Sequence, residues 1–137
     1  MIGVVVITHG QLATELVNAA EMIVGDLPQF TAVSIGWHED VNDAREDIVQ
    51  AIERVRGEEG VLLLTDMFGG TPSNLGMTFL EKDRVEVMTG VNLPMLIKLA
   101  SLRKSSDLLA VAKQMRDHGR NAIWVASDLL RGEKSNV

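Results

Sequence analysis

Runs of apolar residues alternate with amphipathic segments along the whole chain. The run at 2–7 is continuous and rich in β-branched residues, as expected of a strand that is covered on both faces. Similar runs at 30–35, 61–64 and 85–88 predict three further strands, and 122–126 predicts a fifth. Each of the first three strands is followed by a segment with a different periodicity, which predicts a helix.

In these intervening segments apolar residues recur every three or four positions, the spacing of a helix that packs on a sheet. The ends of these helices are indicated by three kinds of residue. Acidic or hydroxyl residues precede the first turn, prolines lie within it, and glycines follow the last apolar residue. The predicted helices run from Leu12 to a stop at Gly25, from a cap at Asp40 or Asn42 to Gly57, from Pro72 to Leu80, around Pro94, and from Ser105 or Ser106 to Gly119.

This order of elements predicts one domain at residues 1–130, with an α/β fold. The expected architecture is an open three-layer sandwich, in which a mainly parallel sheet of order 2-1-3-4 carries helices on both faces. The last strand, 122–126, would join antiparallel at an edge, and unpaired edges invite association. It could pair with its own sheet or with that of a second copy. The polar segment 131–137 is predicted to be a disordered tail.

The amino-acid composition excludes several classes of function. The formal net charge of −6 gives no electrostatic drive toward nucleic acid or an anionic membrane, and aromatic residues are sparse. The chain has no cysteine, which excludes thiol catalysis, and its three histidines lack metal-ligand spacing. We therefore expect no metal, no cofactor and no nucleic-acid partner. With neither a signal peptide nor a long apolar span, a cytoplasmic location is expected.

The two most informative polar residues, His9 and Asp66, follow strands 1 and 3. In an open sheet of order 2-1-3-4 the strand order reverses between these strands, and ligands bind beyond their carboxyl ends. A carboxylate that accepts the hydrogen of one imidazole nitrogen leaves the other nitrogen's lone pair free. Such a pair suits a general base, a metal ligand or a nucleophile that becomes phosphorylated. No serine nucleophile motif and no further metal ligands accompany it, which favours the nucleophile.

The segment GGTPSN after Asp66 has the features of a phosphate-binding loop. Gly69 and Gly70 let the backbone approach a ligand closely, and Thr71 is predicted to cap a helix with Pro72 at its first position. Free amides at the start of that helix would bind phosphate oxygens. Together these residues predict a phosphohistidine site, in which His9 Nε2 attacks in line and Asp66 binds Nδ1–H.

Three segments, ITHG, LLLTDMFGGTPSN and GVNLPML, resemble the signature blocks of enzyme IIA of the mannose family of the sugar phosphotransferase system. The resemblance covers nearly the whole chain. It implies that His9 accepts phosphate from the carrier HPr and passes it to a IIB protein, here on a separate chain. Asp66 matches the orienting carboxylate and Thr71 the hydroxyl residue of the phosphate loop. The candidate phosphate-binding residues are Gly70, Thr71 and Ser73, supported by Gly10, Gly69 and Asn92. Asn92 would either bond the backbone near the site or Asp66, or serve as a turn residue before Pro94.

The resemblance also implies a homodimer in which the last strand, 122–126, is exchanged between subunits. Contact with the membrane would be indirect, through a transporter complex, and the output would be either sugar uptake or a regulatory signal. Met67 and Phe68 lie in the loop beside the site, where they would either dock partner proteins or pack in the core.

Two other functions fit the fold class. An aspartyl-phosphate receiver would place its acceptor at Asp66, but it needs an acidic cluster where His9 stands. A nucleotide-binding module would need a phosphate loop of the form GxGxxG or GxxxxGK[ST], and neither occurs.

Overall fold

The computed structural model describes residues 1–105 and 107–132. In chain order the elements are β1 (Gly3–His9), α1 (Leu12–Val24), β2 (Phe30–Ile35), α2 (Val41–Val55), β3 (Val61–Thr65), α3 (Thr71–Met77), β4 (Val85–Thr89), α4 (Leu93–Leu102), α5 (Leu108–Asn121) and α6 (Ala126–Leu130).

The four strands form one parallel sheet of order β2-β1-β3-β4, as predicted. The central strand β1 pairs with both neighbours, so that His9 lies opposite Ile35 of β2 and Ile7 lies opposite Thr65 of β3. This register brings the carboxyl ends of β1, β2 and β3 to one end of the sheet, where the candidate residues follow.

Helices cover both faces of the sheet, and successive residues of β1 point alternately into the two layers. Val4 and Val6 pack in a core with α1, α4 and α5, whereas Val5 and Ile7 pack in a second core with α2 and α3. Because both faces of this strand are buried, its sequence is continuously apolar and not alternating. The predicted three-layer α/β architecture is confirmed.

Several helix ends differ from the sequence prediction by a few residues. Asp40, one of the two predicted caps, accepts hydrogen bonds from the amides of Asn42 and Asp43 at the start of α2. Helix α3 has Gly70 and not Thr71 as its N-cap, because Gly70 has the positive φ that turns the loop into the helix. Helix α5 begins at Leu108, where Asp107 accepts from the Ala110 amide, and Ser105 lies in the preceding loop. Ser106 lies outside the described residues.

The predicted fifth strand at 122–126 is wrong for the single chain. Residues 123–125 belong to no sheet, although the backbone of Val125 is extended, and Ala126 starts the short helix α6. A strand requires a partner for its backbone groups, and within 1–105 and 107–132 the only sheet is the four-stranded one. Of the predicted tail, Arg131 and Gly132 close the end of α6 through bonds to Ser127 and Leu129, and 133–137 lie outside the described residues.

Arg103, directly after α4, joins three segments at the end of the sheet opposite His9. Its guanidinium is buried, donates to the carbonyl groups of Ile2, Pro28 and Gln29, and lies over the ring of Phe30. Burial lowers the pKa of Arg103 from its usual value. Backbone carbonyls thus stabilise this buried charge and tie the starts of β1 and β2 to α4.

We expect Arg103→Met to lower the free energy of unfolding by about 3 kcal/mol, because it takes the charged donor from the buried Ile2 carbonyl and removes two further bonds, to Pro28 and Gln29. Chemical denaturation of this variant and of Arg103→Lys, which keeps the charge but not the forked geometry, measures the effect. A loss below about 0.5 kcal/mol, the range of neutral surface substitutions, would contradict this role.

Candidate functional site

His9 is the last residue of β1, and the chain leaves the sheet directly after it. Gly10 has a φ of +56° and donates its amide hydrogen to Ile35 of β2, which turns the chain toward α1. Thr8 is fully buried, and its hydroxyl oxygen accepts from the Ala13 amide at 2.6 Å while donating to the His9 carbonyl. Sequence reasoning overlooked Thr8, although a hydroxyl inside an apolar run directly before a candidate histidine is a signal.

Asp66 follows β3, and its carboxylate reaches His9 across the top of the sheet. One oxygen, Oδ2, lies 2.7 Å from His9 Nδ1 and also accepts the backbone N–H of His9 at 3.1 Å. The other oxygen accepts the amide of Met67. The two residues that sequence reasoning paired across 57 positions are therefore in direct contact.

The environment of Asp66 determines which imidazole nitrogen carries the hydrogen. Burial acts to raise the pKa of Asp66, but the hydrogen bonds from the ring and backbone of His9, with the charge of that ring, lower it overall. The carboxyl group is therefore ionised at neutral pH and can only accept hydrogen bonds. Nδ1 must be the donor, and in the neutral ring Nε2 keeps its lone pair.

A nucleophile must be accessible, whereas the group that orients it can be shielded. The two side chains differ in exposure in this way. The His9 side chain is 52% exposed, whereas that of Asp66 is 13% exposed. The carboxylate is thus shielded by the protein, while half of the His9 side chain remains open to an incoming group.

The loop between β3 and α3 passes beside the ring of His9. Gly69 and Gly70 have φ values of +100° and +86°, which L side chains rarely adopt. A Cβ on Gly70 would lie 2.9 Å from His9 Nε2, too close for any side chain, whereas one on Gly69 would meet nothing within 4 Å. Glycine at position 70 therefore allows the backbone to approach the reactive nitrogen.

The start of α3 offers hydrogen-bond donors at this place. Within residues 1–105 and 107–132, the amides of Gly70, Thr71 and Ser73 and the Thr71 hydroxyl donate no hydrogen bond. The Ser73 hydroxyl is already engaged, since its oxygen accepts the amide of Gly69 at 2.8 Å.

Asn92, predicted to support the site, has a role at a helix start. Its carbonyl oxygen accepts the Met95 amide as the N-cap of α4, and its amide group donates to the carbonyl of Gly119 in α5. Both ends of the side chain therefore link these two helices.

Exposed apolar side chains follow β2 and β3 at the end of the sheet where His9 lies. Met67 and Phe68 are exposed, Phe68 by 74%, so that the alternative in which they pack in the core is wrong. Trp37, just beyond the strand β2 that neighbours His9, is 92% exposed and was not singled out from the sequence. These three residues form an exposed apolar rim at the carboxyl end of the sheet.

The part of the chain that the structure describes contains neither a cluster of metal ligands nor a helix able to span a membrane. No group of three or more histidine, cysteine, aspartate or glutamate side chains is placed to hold a metal ion. Among those residues no helix combines the length and apolar character that crossing a bilayer requires.

Comparison with known proteins gives consistent matches. A family model described as "PTS system fructose IIA component" matches residues 3–116. The fructose-specific EIIA component of Bacillus subtilis is 32% identical over 136 residues, covering 98% of this chain and 93% of that protein. The mannose-specific EIIAB component of Escherichia coli K12 is 30% identical over 127 residues, covering 89% of this chain but only 39% of the longer protein.

Solved structures agree in fold. An EIIA component from Streptococcus agalactiae has a TM-score of 0.83 at 21% identity, covering 93% of this chain and 98% of that one. A PTS IIA protein associated with the fucose utilization operon of Streptococcus pneumoniae has a TM-score of 0.80 at 25% identity, covering 93% and 95%. The chain therefore belongs to the mannose-type IIA family of the sugar phosphotransferase system, whose components take part in phosphoryl transfer.

Proposed function

We propose that His9 accepts a phosphoryl group on Nε2 from phosphorylated HPr and transfers it to a IIB protein on a separate chain. The observation that carries this proposal is the 2.7 Å contact between His9 Nδ1 and the Asp66 carboxylate. It fixes the ring with Nε2 outward, beside Gly70 and open to solvent.

The proposed chemistry is an in-line displacement at phosphorus. The Nε2 lone pair attacks, the bond between phosphorus and the donor breaks, and the new bond places positive charge on the ring. Asp66 stabilises this charge through Nδ1–H. Transfer to the IIB protein reverses these steps, with the acceptor as nucleophile and His9 as leaving group.

The loop supplies donors for the phosphoryl oxygens. The amides of Gly70, Thr71 and Ser73 and the Thr71 hydroxyl have no other acceptor among the described residues, and Gly70 lies next to Nε2. Fixed donors stabilise the charge of the transferring group without reorganisation during the reaction. Gly10 and Gly69 provide the turns that place His9 and this loop.

HPr and the IIB protein must both approach the open edge of His9. We assign the apolar rim of Trp37, Met67 and Phe68 to this docking, because burying it would repay the desolvation of the site and exclude water from the reaction. A shared rim would require the donor and the acceptor to bind in turn.

The segment 122–126 supports a homodimer. Ile123, Trp124 and Val125 are exposed in the single chain, and strand pairing with a second copy would bury them. We propose that this segment is exchanged between subunits. The protein would act in the cytoplasm and reach the membrane only through a transporter complex, in sugar uptake or in a regulatory response.

The direct test is incubation with phosphorylated HPr, followed by peptide mapping under alkaline conditions. We expect one phosphoryl group per chain on the peptide that contains His9, stable in alkali and lost in acid. A label stable in acid and lost in alkali would indicate an acyl phosphate, as expected of the receiver alternative. Binding of ATP or NAD without labelling would favour the nucleotide-binding alternative.

Gly70→Ala is expected to reduce the rate of transfer at least 100-fold. The new Cβ would displace the His9 ring or the loop, and misplacement by about 1 Å costs a factor of this size. Transfer from phosphorylated HPr, measured by rapid quench, gives the rate.

Gly69→Ala is the matched control. It imposes the same strain of a positive φ, but its Cβ has no contact within 4 Å. We expect a similar loss of stability and a much smaller loss of transfer. Equal loss of transfer in both variants would attribute the effect to backbone strain and not to the approach to Nε2.

A further inference from the structure

Ser73 makes a contact that a direct role in phosphate binding does not explain. It lies in the first turn of α3, its side chain is fully buried, and its oxygen accepts the Gly69 amide at 2.8 Å. This bond runs from the helix back to the loop before it and is not part of the helical pattern. Since the side chain has no exposed surface, an incoming phosphoryl group cannot reach it without local rearrangement.

The loop that Ser73 contacts needs a contact that holds it in one conformation. Two successive glycines with positive φ have more alternative conformations than any other pair of residues, so that ordering them is entropically costly. Two hydrogen bonds link this pair to α3: the Gly69 amide donates to Ser73, and the Gly70 carbonyl accepts from the Asn74 amide. The hydrogen bond from Gly69 to Ser73 therefore holds the part of the loop that follows Asp66.

The position of this loop matters for the reacting nitrogen. The place that a Cβ on Gly70 would occupy lies 2.9 Å from His9 Nε2, so that the Gly70 backbone lies close to the ring and a displaced loop would move its amides relative to Nε2. Misplacement of reacting groups by about 1 Å can slow a reaction about 100-fold.

We infer that Ser73 is a positioning residue for phosphoryl transfer, whose hydroxyl oxygen holds Gly69 and thereby sets Gly70 against Nε2 of His9. Its side chain acts on the loop and not on the phosphoryl group. This inference rests on the proposed function of His9, and it replaces the expected role of the Ser73 side chain as a phosphate ligand.

The test compares three variants by single-turnover transfer from phosphorylated HPr. Ser73→Ala removes the acceptor, Ser73→Thr keeps it, and Thr78→Val removes hydroxyl hydrogen bonds to Leu75 and Arg45 at the other end of α3. For Ser73→Ala we expect the maximal rate constant to fall about 10- to 100-fold. The half-saturating concentration of phosphorylated HPr should change less than the rate constant does, because the side chains of Trp37, Met67 and Phe68 are all retained.

Two further results are expected. Ser73→Thr should restore most of the rate, and Thr78→Val should transfer at the wild-type rate despite its lost hydrogen bonds. Hydrogen exchange followed by NMR should show a protected Gly69 amide in the wild type and in Ser73→Thr, but a faster one in Ser73→Ala. This exchange measurement tests the contact itself without any partner protein.

The outcomes separate this inference from the proposed function. If the wild type accepts label and Ser73→Ala transfers at the same rate, the inference is refuted and the function stands. Equal loss in Ser73→Ala and Thr78→Val, or no rescue by Ser73→Thr with a protected Gly69 amide, would also refute it. A wild-type chain that accepts no label refutes the proposed function and this inference together.

Discussion

Replacement of His9 by alanine is expected to abolish labelling by phosphorylated HPr, the largest effect that the site predicts. Among the described residues His9 is the histidine that contacts the Asp66 carboxylate, whereas His38 lies beside Trp37 and His118 belongs to α5. We expect less than about one part in 10⁴ of the wild-type rate, the scale of loss when a nucleophile is removed. Mass spectrometry under alkaline conditions measures the stoichiometry of the label.

His38→Ala and His118→Ala are the matched controls, and both should accept one phosphoryl group per chain. His9→Ala should keep the wild-type thermal stability within a few degrees, because the ring is half exposed. A His9→Ala protein that is folded and still labels at full stoichiometry would overturn the assignment of the nucleophile.

The second largest effect is expected for Asp66→Ala, which should slow transfer by about 10²- to 10⁴-fold. The upper figure is the loss seen when the orienting aspartate of a serine-protease triad is replaced. Without the carboxylate the imidazole hydrogen is free to move to Nε2, and the positive charge on the phosphorylated ring loses its partner. Rapid-quench transfer from phosphorylated HPr measures the loss.

Asp66→Asn separates orientation from charge, because it keeps one acceptor oxygen but no negative charge. We expect a rate between those of the wild type and Asp66→Ala, whereas Asp26→Asn, an exposed position in the loop after α1, should have the wild-type rate. A wild-type rate for Asp66→Ala would show that the 2.7 Å contact has no part in transfer.

The lowered pKa of Asp66 also predicts an acid dependence. A carboxyl group whose pKa is lower in the folded state stabilises the fold at pH values above its unfolded pKa, about 3.9. This contribution is lost as the pH falls through the lower folded-state pKa. Asp66→Ala should therefore have a flatter loss of stability than the wild type in this acid range, measured by denaturation at a series of pH values.

The sheet and the central pair could be predicted because they depend on patterns that are local in sequence. The apolar runs gave each strand within two residues, and the strand order then required the residues after β1 and β3 to meet. The contact of His9 with Asp66 follows from that register. In the same way, the glycine pair after Asp66 indicated a close backbone approach before any distance was known.

Features that depend on tertiary contacts could not be predicted from sequence patterns. Ile123, Trp124 and Val125 have the composition of a strand, but strand formation depends on a neighbouring edge, which a sequence pattern does not supply. Asn92 was placed near the site from its position in a conspicuous motif, while its side chain links α4 and α5. Ser73 was assigned by its place in the loop, and only its burial shows that the hydroxyl faces Gly69.

The attachment of His9 to the central strand has a consequence for how partners recognise this protein. From Val4 to Thr8 the strand is fully buried, and from Val4 to Ile7 it is paired on both sides, so that it belongs to the part of the fold that opens least. A phosphoryl group on His9 would add almost two negative charges at a point where the backbone is held rigidly. We expect the loaded and unloaded forms to share one backbone conformation, and partners to distinguish them by electrostatic potential.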